Sequence, residues 1–264
     1  MKLFRAFAVQ SFRALSAYRF EFWLRLFSNV LWMYCAHSLW TVLYGQSPDA
    51  FGHSGASMVT YGVLSMALQS AFYGVQPHGY IADQMRTGAI DTDLMKPLDL
   101  QVHLLARSAG ETLFFMATMV VPSLLIGYLA LDLQGPATPL AGLQTVLAVG
   151  FAFLVLFGIN WLMGMLAVVI LDISNVNWTY YALTRFFGGQ LVPLWLFPKW
   201  LGALAEMLPF KSLYYIPASV YSGQMAGAAA WGALGFQAAW ALALWLIGKL
   251  TWHRLQARLV VQGG

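Results

Sequence analysis

Charged side chains are concentrated in one internal stretch of this chain. Its 264 residues include 14 lysines and arginines and 10 aspartates and glutamates. A third of these charges lie in the 83–111 stretch, as Asp83, Arg86, Asp91, Asp93, Lys96, Asp99, Arg107 and Glu111. Because charges of both signs can pair with a protein partner and set its orientation, the stretch is predicted to be a docking surface.

The middle of this stretch predicts a short helical element. Gly88 permits a turn and Pro97 stops a helix. Ile90 and Leu94 lie between them at a spacing of i, i+4, which would present one apolar edge. The residues predicted to contact a partner are Asp83, Arg86, Gly88, Ile90, Asp91, Leu94, Lys96 and Pro97. The alternative is a solvated loop without a partner.

No residue pattern predicts catalysis or metal binding. The P-loop pattern G-x-x-x-x-G-K-[ST] does not occur, so ATP is not expected to bind this chain through such a loop. The nucleophile pattern G-x-S-x-G does not occur either. The five histidines are scattered, and the single cysteine, Cys35, excludes an internal disulfide and a cysteine-rich metal site. We therefore expect no catalytic residue, no metal and no cofactor in this chain.

The rest of the chain is strongly apolar. Hydrophobic residues make up 60% of it and charged residues only 9%, with a mean hydropathy of +0.66. Soluble domains carry about 25% charged residues, so this chain lacks the polar surface that a soluble fold requires. Its 11 tryptophans suit the aromatic belts at membrane interfaces. These features predict an all-α integral membrane protein.

Six segments are long and apolar enough to span a bilayer, which takes roughly 20 residues. They cover approximately residues 22–44, 58–76, 112–131, 141–171, 176–197 and 229–250. The fourth apolar run is longer than a bilayer needs, which predicts that it tilts or projects past the membrane. Residues 1–264 are therefore expected to form a single transmembrane domain.

Basic residues are divided unequally between the two sides of the membrane. Of the 14 lysines and arginines, Arg185 lies within a span and only Lys199 and Lys211 fall on one side, which leaves eleven on the other. Because positive charge marks the cytoplasmic side, both termini and the 77–111 loop are predicted to be cytoplasmic. The basic residues form short flanks of spans, which excludes nucleic acid as a partner despite a pI of about 9.2.

The N-terminal residues 1–19 predict an amphipathic helix that lies in the cytoplasmic interface of the bilayer. Phe4 and Phe7 fall on one side of this helix, and Arg5 and Arg13 fall on the other. A secretory signal is the weaker alternative, since no apolar core with a small-residue cleavage site follows the positive start.

The 191–227 segment does not fit a simple span, because prolines interrupt it every few residues. Broken backbone at membrane depth must be buried in protein or line a cavity. We expect residues 198–227 to form an outer segment with two short, partly re-entrant helices, near residues 201–208 and 212–221. The alternative is an ordinary surface loop.

Polar side chains within the spans are candidates for a transport pathway. Arg185 lies about nine residues into the fifth span, where a charge is costly and usually faces a cavity or a partner. Milder cases of the same kind are Asn160, His37, Gln69 and Gln190. The alternative for all of them is hydrogen bonding that holds the helices together.

The order of these features resembles the type-2 permease subunits of ATP-binding-cassette (ABC) exporters, most closely an uncharacterised bacterial branch. An interfacial helix precedes six spans, and the loop after the second span has the form R-x-G-x-[ILV]-x-x-x-L-x-x-P between Arg86 and Pro97. A proline-rich segment precedes the last span, with Phe197-Pro198-Lys199, Leu208-Pro209-Phe210 and Tyr215-Ile216-Pro217. The resemblance covers nearly the full chain.

The resemblance implies a half-transporter in the bacterial inner membrane that exports an amphiphilic or hydrophobic substrate. Two permease subunits, identical or homologous, would form the pathway, and two separate ABC ATPase subunits would bind ATP and magnesium. Residues 83–98 would carry the coupling helix that docks on the ATPase. The outer segment would act as an exit gate, so the pathway or gate candidates are Arg185, Asn160, Gln190, Pro198, Pro209, Phe210 and Pro217.

Two other classes of membrane protein remain as alternatives. A secondary transporter or channel without an ATPase predicts more ionisable residues within spans, or halves related by symmetry. A membrane-embedded enzyme predicts clustered histidine, aspartate or glutamate at one membrane face. Arg185 is the one deeply placed charge in the predicted spans, and no such cluster is seen.

Overall fold

The computed structural model describes residues 19–46, 54–90, 95, 99–169 and 174–262 of the chain. Within these residues it consists of helices and connecting turns, without strands. The all-α prediction is therefore confirmed for the described part. The predicted interfacial helix precedes these residues and so lies outside them.

Ten α-helices are described. They are α1 (Arg19–Gln46), α2 (Gly55–Ala71), α3 (Pro77–Thr87), α4 (Leu100–Phe115), α5 (Val121–Ala130), α6 (Pro139–Val169), α7 (Ser174–Phe187), α8 (Lys199–Met207), α9 (Tyr215–Tyr221) and α10 (Gly227–Gln262). A π-helical turn, Met116–Val120, joins α4 to α5, and Pro122 follows it at the start of α5. Because proline lacks an N–H, it removes one helical hydrogen bond at this point, which accounts for the irregular turn.

Three helical segments of the described chain have the length and apolar composition needed to cross a membrane. They are Leu100–Ala130, Pro139–Ala167 and Gly227–Gln256. These segments contain or closely match the predicted third, fourth and sixth spans. Helices α1 and α2 coincide with the predicted first and second spans, but a total of six membrane crossings stays a prediction.

The helices at the predicted third and fifth spans differ in their bounds from the predicted segments. The third helix begins at Leu100, because Oδ1 of Asp99 accepts a hydrogen bond from the Val102 N–H at 3.1 Å and caps it. Arg107 and Glu111 therefore lie on α4 and not in a loop. At the other boundary, α7 ends at Phe187 and not at Phe197.

Glycine accounts for the early end of α7. Gly189 has a φ of +73°, and a Cβ on Gly188 would lie 2.3 Å from the carbonyl oxygen of Thr184. Two long-range bonds hold the chain after the helix: the Tyr61 hydroxyl donates to Gly189 O at 2.5 Å, and the Tyr215 N–H donates to Gly188 O at 2.9 Å. The backbone thus stays hydrogen-bonded although the helix has stopped.

The two short helices expected before the last span are present. α8 covers Lys199–Met207 and α9 covers Tyr215–Tyr221, close to the predicted 201–208 and 212–221. Between them lies a 3₁₀ turn, Pro209–Ser212. Their placement on the outer side and their re-entrant character stay predictions.

Helix α6 occupies the centre of the bundle and packs against α3, α9 and α10. Its Trp161 is fully buried and donates through Nε1 to Gly248 O of α10 at 3.3 Å. Close approach of the neighbours depends on two glycines. A Cβ on Gly158 would meet Leu244 at 2.6 Å, and one on Gly164 would meet Ile81 at 2.6 Å.

Segments predicted for the same side of the membrane contact one another. Lys249 lies 3.4 Å from Asp99, which joins two regions predicted to be cytoplasmic. At the opposite end, the Gln134 N–H donates to Thr60 Oγ1 at 3.2 Å, and the Ala137 N–H donates to Tyr221 O at 3.0 Å. The assignment of these segments to sides of the membrane stays a prediction.

Substitution of Gly164 by alanine should destabilise the fold through the contact between α3 and α6. The added Cβ would lie 3.2 Å from the backbone Cα of His78 as well as 2.6 Å from the Ile81 side chain, so α3 must move away. Overpacking of this kind costs about 1–3 kcal/mol. We expect a lower melting temperature for the Gly164→Ala protein in detergent, measured by intrinsic fluorescence.

Gly150 provides the matched control on the same helix, because a Cβ there would meet no atom within 4 Å. Alanine is the better helix former by about 0.5–1 kcal/mol, so Gly150→Ala should keep or slightly raise the melting temperature. Equal melting temperatures for the two variants would contradict the packing role of Gly164.

Candidate functional site

Two residues of the predicted docking surface, Asp83 and Arg86, lie on helix α3. Pro77 occupies its first turn, where a missing N–H costs nothing. Gly88 ends it in the left-handed conformation, with a φ of +71°, and donates its N–H to Met85 O. The turn predicted at Gly88 is thus present, but it terminates a helix that precedes it.

Two charged residues of α3 are strongly exposed. Arg86 Nη2 lies 3.3 Å from Asp83 Oδ1, with side chains 78% and 74% exposed. An exposed pair of this kind contributes little to stability, so both charges remain available to a partner. Ile90 differs from its prediction, because it is buried within this chain's own core and does not present an outward apolar edge. Asp91, Leu94, Lys96 and Pro97 lie outside the described residues.

The opposite face of α3 is anchored inside the protein. His78 and Ile81 are buried against α6, and the His78 ring lies 6.5 Å from the rings of Tyr180 and Tyr181 on α7. Nδ1 of His78 has no hydrogen-bond partner among the described residues. Burial lowers the pKa of His78 to about 4 from its usual 6.5, because the charged imidazolium would lose its hydration.

A second set of contacts ties α3 to α4. The Arg107 guanidinium lies over the Tyr80 ring at 5.1 Å, and its Nε donates to Glu111 Oε1 at 2.9 Å. Glu111 in turn packs against Gly74. A Cβ added to Gly74 would lie 2.4 Å from the Cβ of Glu111. α3 is therefore held between α6 and α4 while its charged end stays exposed.

The polar pathway candidates meet at a cavity of about 80 Å³ between α2, α6 and α7. Arg185, Asn160 and Gln69 line it together with the tyrosine rings of Tyr73, Tyr180, Tyr181 and Tyr214. Asn160 Nδ2 donates to Val75 O at 2.6 Å, at the turn that connects α2 to α3. Three residues that are distant in the sequence are thus brought together.

Gln190 lies behind this cavity. It is buried, and its Nε2 donates to Gln69 Oε1 at 2.6 Å. This bond orients Gln69, so Gln190 is a positioning residue for the cavity.

The four gate candidates lie elsewhere, and the cavity lining does not include them. Pro198 precedes α8 and is exposed, whereas Pro209 and Pro217 are buried. The Phe210 ring stacks on Phe187 at 6.4 Å, at the end of α7. The structure thus distributes the predicted residues over two regions, one around Arg185 and one in the broken segment.

The family assignment follows from the match of residues 30–263 to the family model described as ABC-2 family transporter protein. This chain belongs to the ABC-2 transporter family. The matched range includes α3, the cavity and the broken segment, which confirms the resemblance to ABC permeases. No curated protein and no solved structure gives a significant match. The ABC-2 permease is a multi-pass membrane transport protein.

The polar residues of this ABC-2 permease include two features that sequence patterns missed. The tyrosines of the cavity come from the 3₁₀ turn after α2, from α7 and from the turn before α9, so no local spacing connects them. Gln237 of α10 is fully buried, and its Nε2 donates to Ala148 O at 3.0 Å and to Ser212 O at 2.8 Å. The sequence signal for Gln237 was a single glutamine within a predicted hydrophobic span.

The buried His78 makes the stability of the ABC-2 permease sensitive to acid. Between pH 6.5 and about 4 the unfolded chain binds a proton at this histidine and the native chain does not, so stability is lost as the pH falls through that window. We expect the melting temperature to fall across it, and His78→Phe should reduce this slope. An unchanged pH profile in the variant would contradict the buried neutral histidine.

Proposed function

We propose that this chain is the membrane-spanning subunit of an ABC exporter and is driven by two separate ABC ATPase subunits. The observation that carries the proposal is the construction of α3. Its exposed end bears Asp83 and Arg86, while its inner face is fixed against α6 and α4. A helix held in this way can transmit the movement of a bound partner to the bundle.

The energy source is expected to lie on the partner. The chain has no P-loop pattern, so ATP and magnesium would bind to the ATPase subunits. ATP binding would draw the two ATPases together, and α3 with the following residues 89–98 would pass this motion to α6. A second permease subunit, identical or homologous, would complete the pathway.

The orientation is supported by the charge distribution and by the pairing of the two ends. Both termini and α3 are assigned to the cytoplasm of a bacterial cell, with the permease in the inner membrane. The contact between Lys249 and Asp99 places the start of α4 beside the C-terminal part of α10, as this orientation requires. The segment of α8 and α9 would then form the outer gate, with Pro198, Pro209, Phe210 and Pro217.

The proposed substrate is amphiphilic or hydrophobic. Large apolar side chains are exposed along α1, including Trp23, Phe27 and Trp32. Such a surface suits contact with acyl chains. The polar cavity at Arg185 provides a described site where a head group would meet a cation.

Reversal of one charge on α3 should weaken the assembly with the ATPase. Arg86→Glu removes the exposed cation and its pair with Asp83, which costs at most about 1 kcal/mol of stability. We expect a loss of about tenfold or more in ATPase affinity, with the melting temperature of the permease nearly unchanged. The measurements are co-purification with the cognate ATPase and permease-dependent ATP hydrolysis in nanodiscs.

Arg254→Glu is the matched control, because Arg254 is also exposed and lies on α10, in a region assigned to the same side. It should leave assembly and turnover near the wild-type values. If Arg86→Glu and Arg254→Glu behave alike, α3 is not the docking element. Transport by the permease without any ATPase would instead favour a secondary transporter.

A further inference from the structure

The cavity between α2, α6 and α7 is lined by a cation that pairs with no carboxylate in the described part of the chain. Arg185 lines it, and no carboxylate of the described residues lies within ion-pair distance of the guanidinium. The described lining includes no aspartate or glutamate. Its side chain is exposed on the last turn of α7. Within the described residues, the guanidinium at the wall of this cavity is therefore accessible to a ligand and is not engaged by a carboxylate.

A second arginine contacts the wall of this cavity. The Arg25 guanidinium lies over the Tyr73 ring at 5.4 Å, and Tyr73 is part of the cavity wall. Arg185 itself lines the cavity together with Tyr73, Tyr181 and Tyr214. One cation and several tyrosines thus lie around one small space.

The amide groups of the cavity add both donors and an acceptor. Gln190 occupies Oε1 of Gln69, which leaves the Gln69 Nε2 donor without a hydrogen bond to a described residue. Asn160 is 3% exposed, and its Oδ1 has no partner among the described residues although its Nδ2 is bound to Val75 O. An unpartnered oxygen at this depth requires a donor from a ligand or from water.

We propose that this cavity binds the anionic head group, a phosphate or a carboxylate, of an amphiphile. Arg185 and Gln69 donate to the oxyanion, and Asn160 Oδ1 accepts from a neighbouring hydroxyl or amine of the ligand. Guanidinium groups match the geometry of phosphate and carboxylate and form charge-assisted bonds with them. The inference deepens the proposed export function. It rests on that function for the statement that the ligand is a transported molecule.

The size and the walls of the cavity fit a head group and exclude a whole lipid. Its volume is about 80 Å³. One water needs about 10–15 Å³, so the cavity has room for a group larger than several water molecules. Phe72 and Leu156 supply apolar wall against which a glycerol or alkyl segment would pack. The acyl chains would remain outside the cavity, in contact with the exposed apolar surface.

The position of the cavity links its occupancy to α3. Val75 and Gln76 of the lining form the turn that precedes α3, and Asn160 binds the Val75 carbonyl directly. Tyr180 and Tyr181 of the lining face His78 on α3. A bound anion therefore contacts the elements that hold the docking helix in place.

The test compares short-chain lipids that differ in the head group alone. The purified full chain in dodecyl maltoside is titrated with dihexanoyl phosphatidic acid and with dihexanoyl phosphatidylcholine, and binding is measured by microscale thermophoresis. We expect tighter binding of phosphatidic acid by about tenfold or more, since charge-assisted bonds distinguish the two. Arg185→Gln should remove this preference, and Arg185→Lys should keep part of it.

Arg254→Gln is the matched control, and it should retain the wild-type preference because Arg254 lies outside the cavity. Inorganic phosphate separates two sources of the ligand: competition in the millimolar range indicates a soluble oxyanion, and lack of competition indicates an amphiphile. Both results support an anion site. Equal binding of the two lipids by the wild type, or an unchanged preference in Arg185→Gln, would overturn it.

The comparison of the two lipids on the wild type needs no variant, so it remains decisive if Arg185→Gln fails to fold. Binding is measured without an ATPase, which keeps the outcome independent of the docking function of α3. If Arg86→Glu leaves ATPase assembly intact while phosphatidic acid still binds through Arg185, the proposed coupling fails and the anion site stands.

Discussion

The hydrogen bond from Asn160 Nδ2 to Val75 O, at 2.6 Å, joins the centre of α6 to the turn between α2 and α3. A turn within an apolar bundle leaves a carbonyl without a helical partner, and an unpaired carbonyl there is costly. One helical turn later, Gly164 lets α3 approach the same helix. The cavity lies on one side of this turn and α3 on the other, so the positions of both depend on α6.

This arrangement explains how a protein with few charged residues holds two exposed charges in a fixed position. Asp83 and Arg86 lie on a helix whose other face is buried, so their positions relative to the bundle are set by packing. Tyr80 and Arg107 add a cation–π contact to α4. The exposed pair contributes little to stability, so the fold does not depend on either residue.

Much of the helical framework is predictable because length and apolarity alone define it. The helices α6 and α10 agree with the predicted fourth and sixth spans, and the broken segment was visible in its prolines. The differences in helix bounds arise at single residues. Asp99 starts α4 earlier than the apolar run suggests, and the left-handed conformation of Gly189 follows the end of α7 inside an apolar run.

The candidate site was harder to predict, because its parts are brought together by tertiary packing. Asn160 and Arg185 were recognisable as polar residues in apolar surroundings, but the sequence contains no sign that both would meet Tyr73 and Tyr214. Ile90 illustrates the same limit in the other direction. Its spacing suggested an exposed edge, and only the packing of the core shows that it points inward.

Gln237 has a consequence for motion during any transport cycle. A single amide nitrogen on α10 donates both to Ala148 O of α6 and to Ser212 O of the Pro209–Ser212 turn. Sliding of any one of these three elements past the others would break a bond that no lipid can replace. α6, α10 and this turn are therefore expected to travel together as one rigid body, with bending confined to the rest of the bundle.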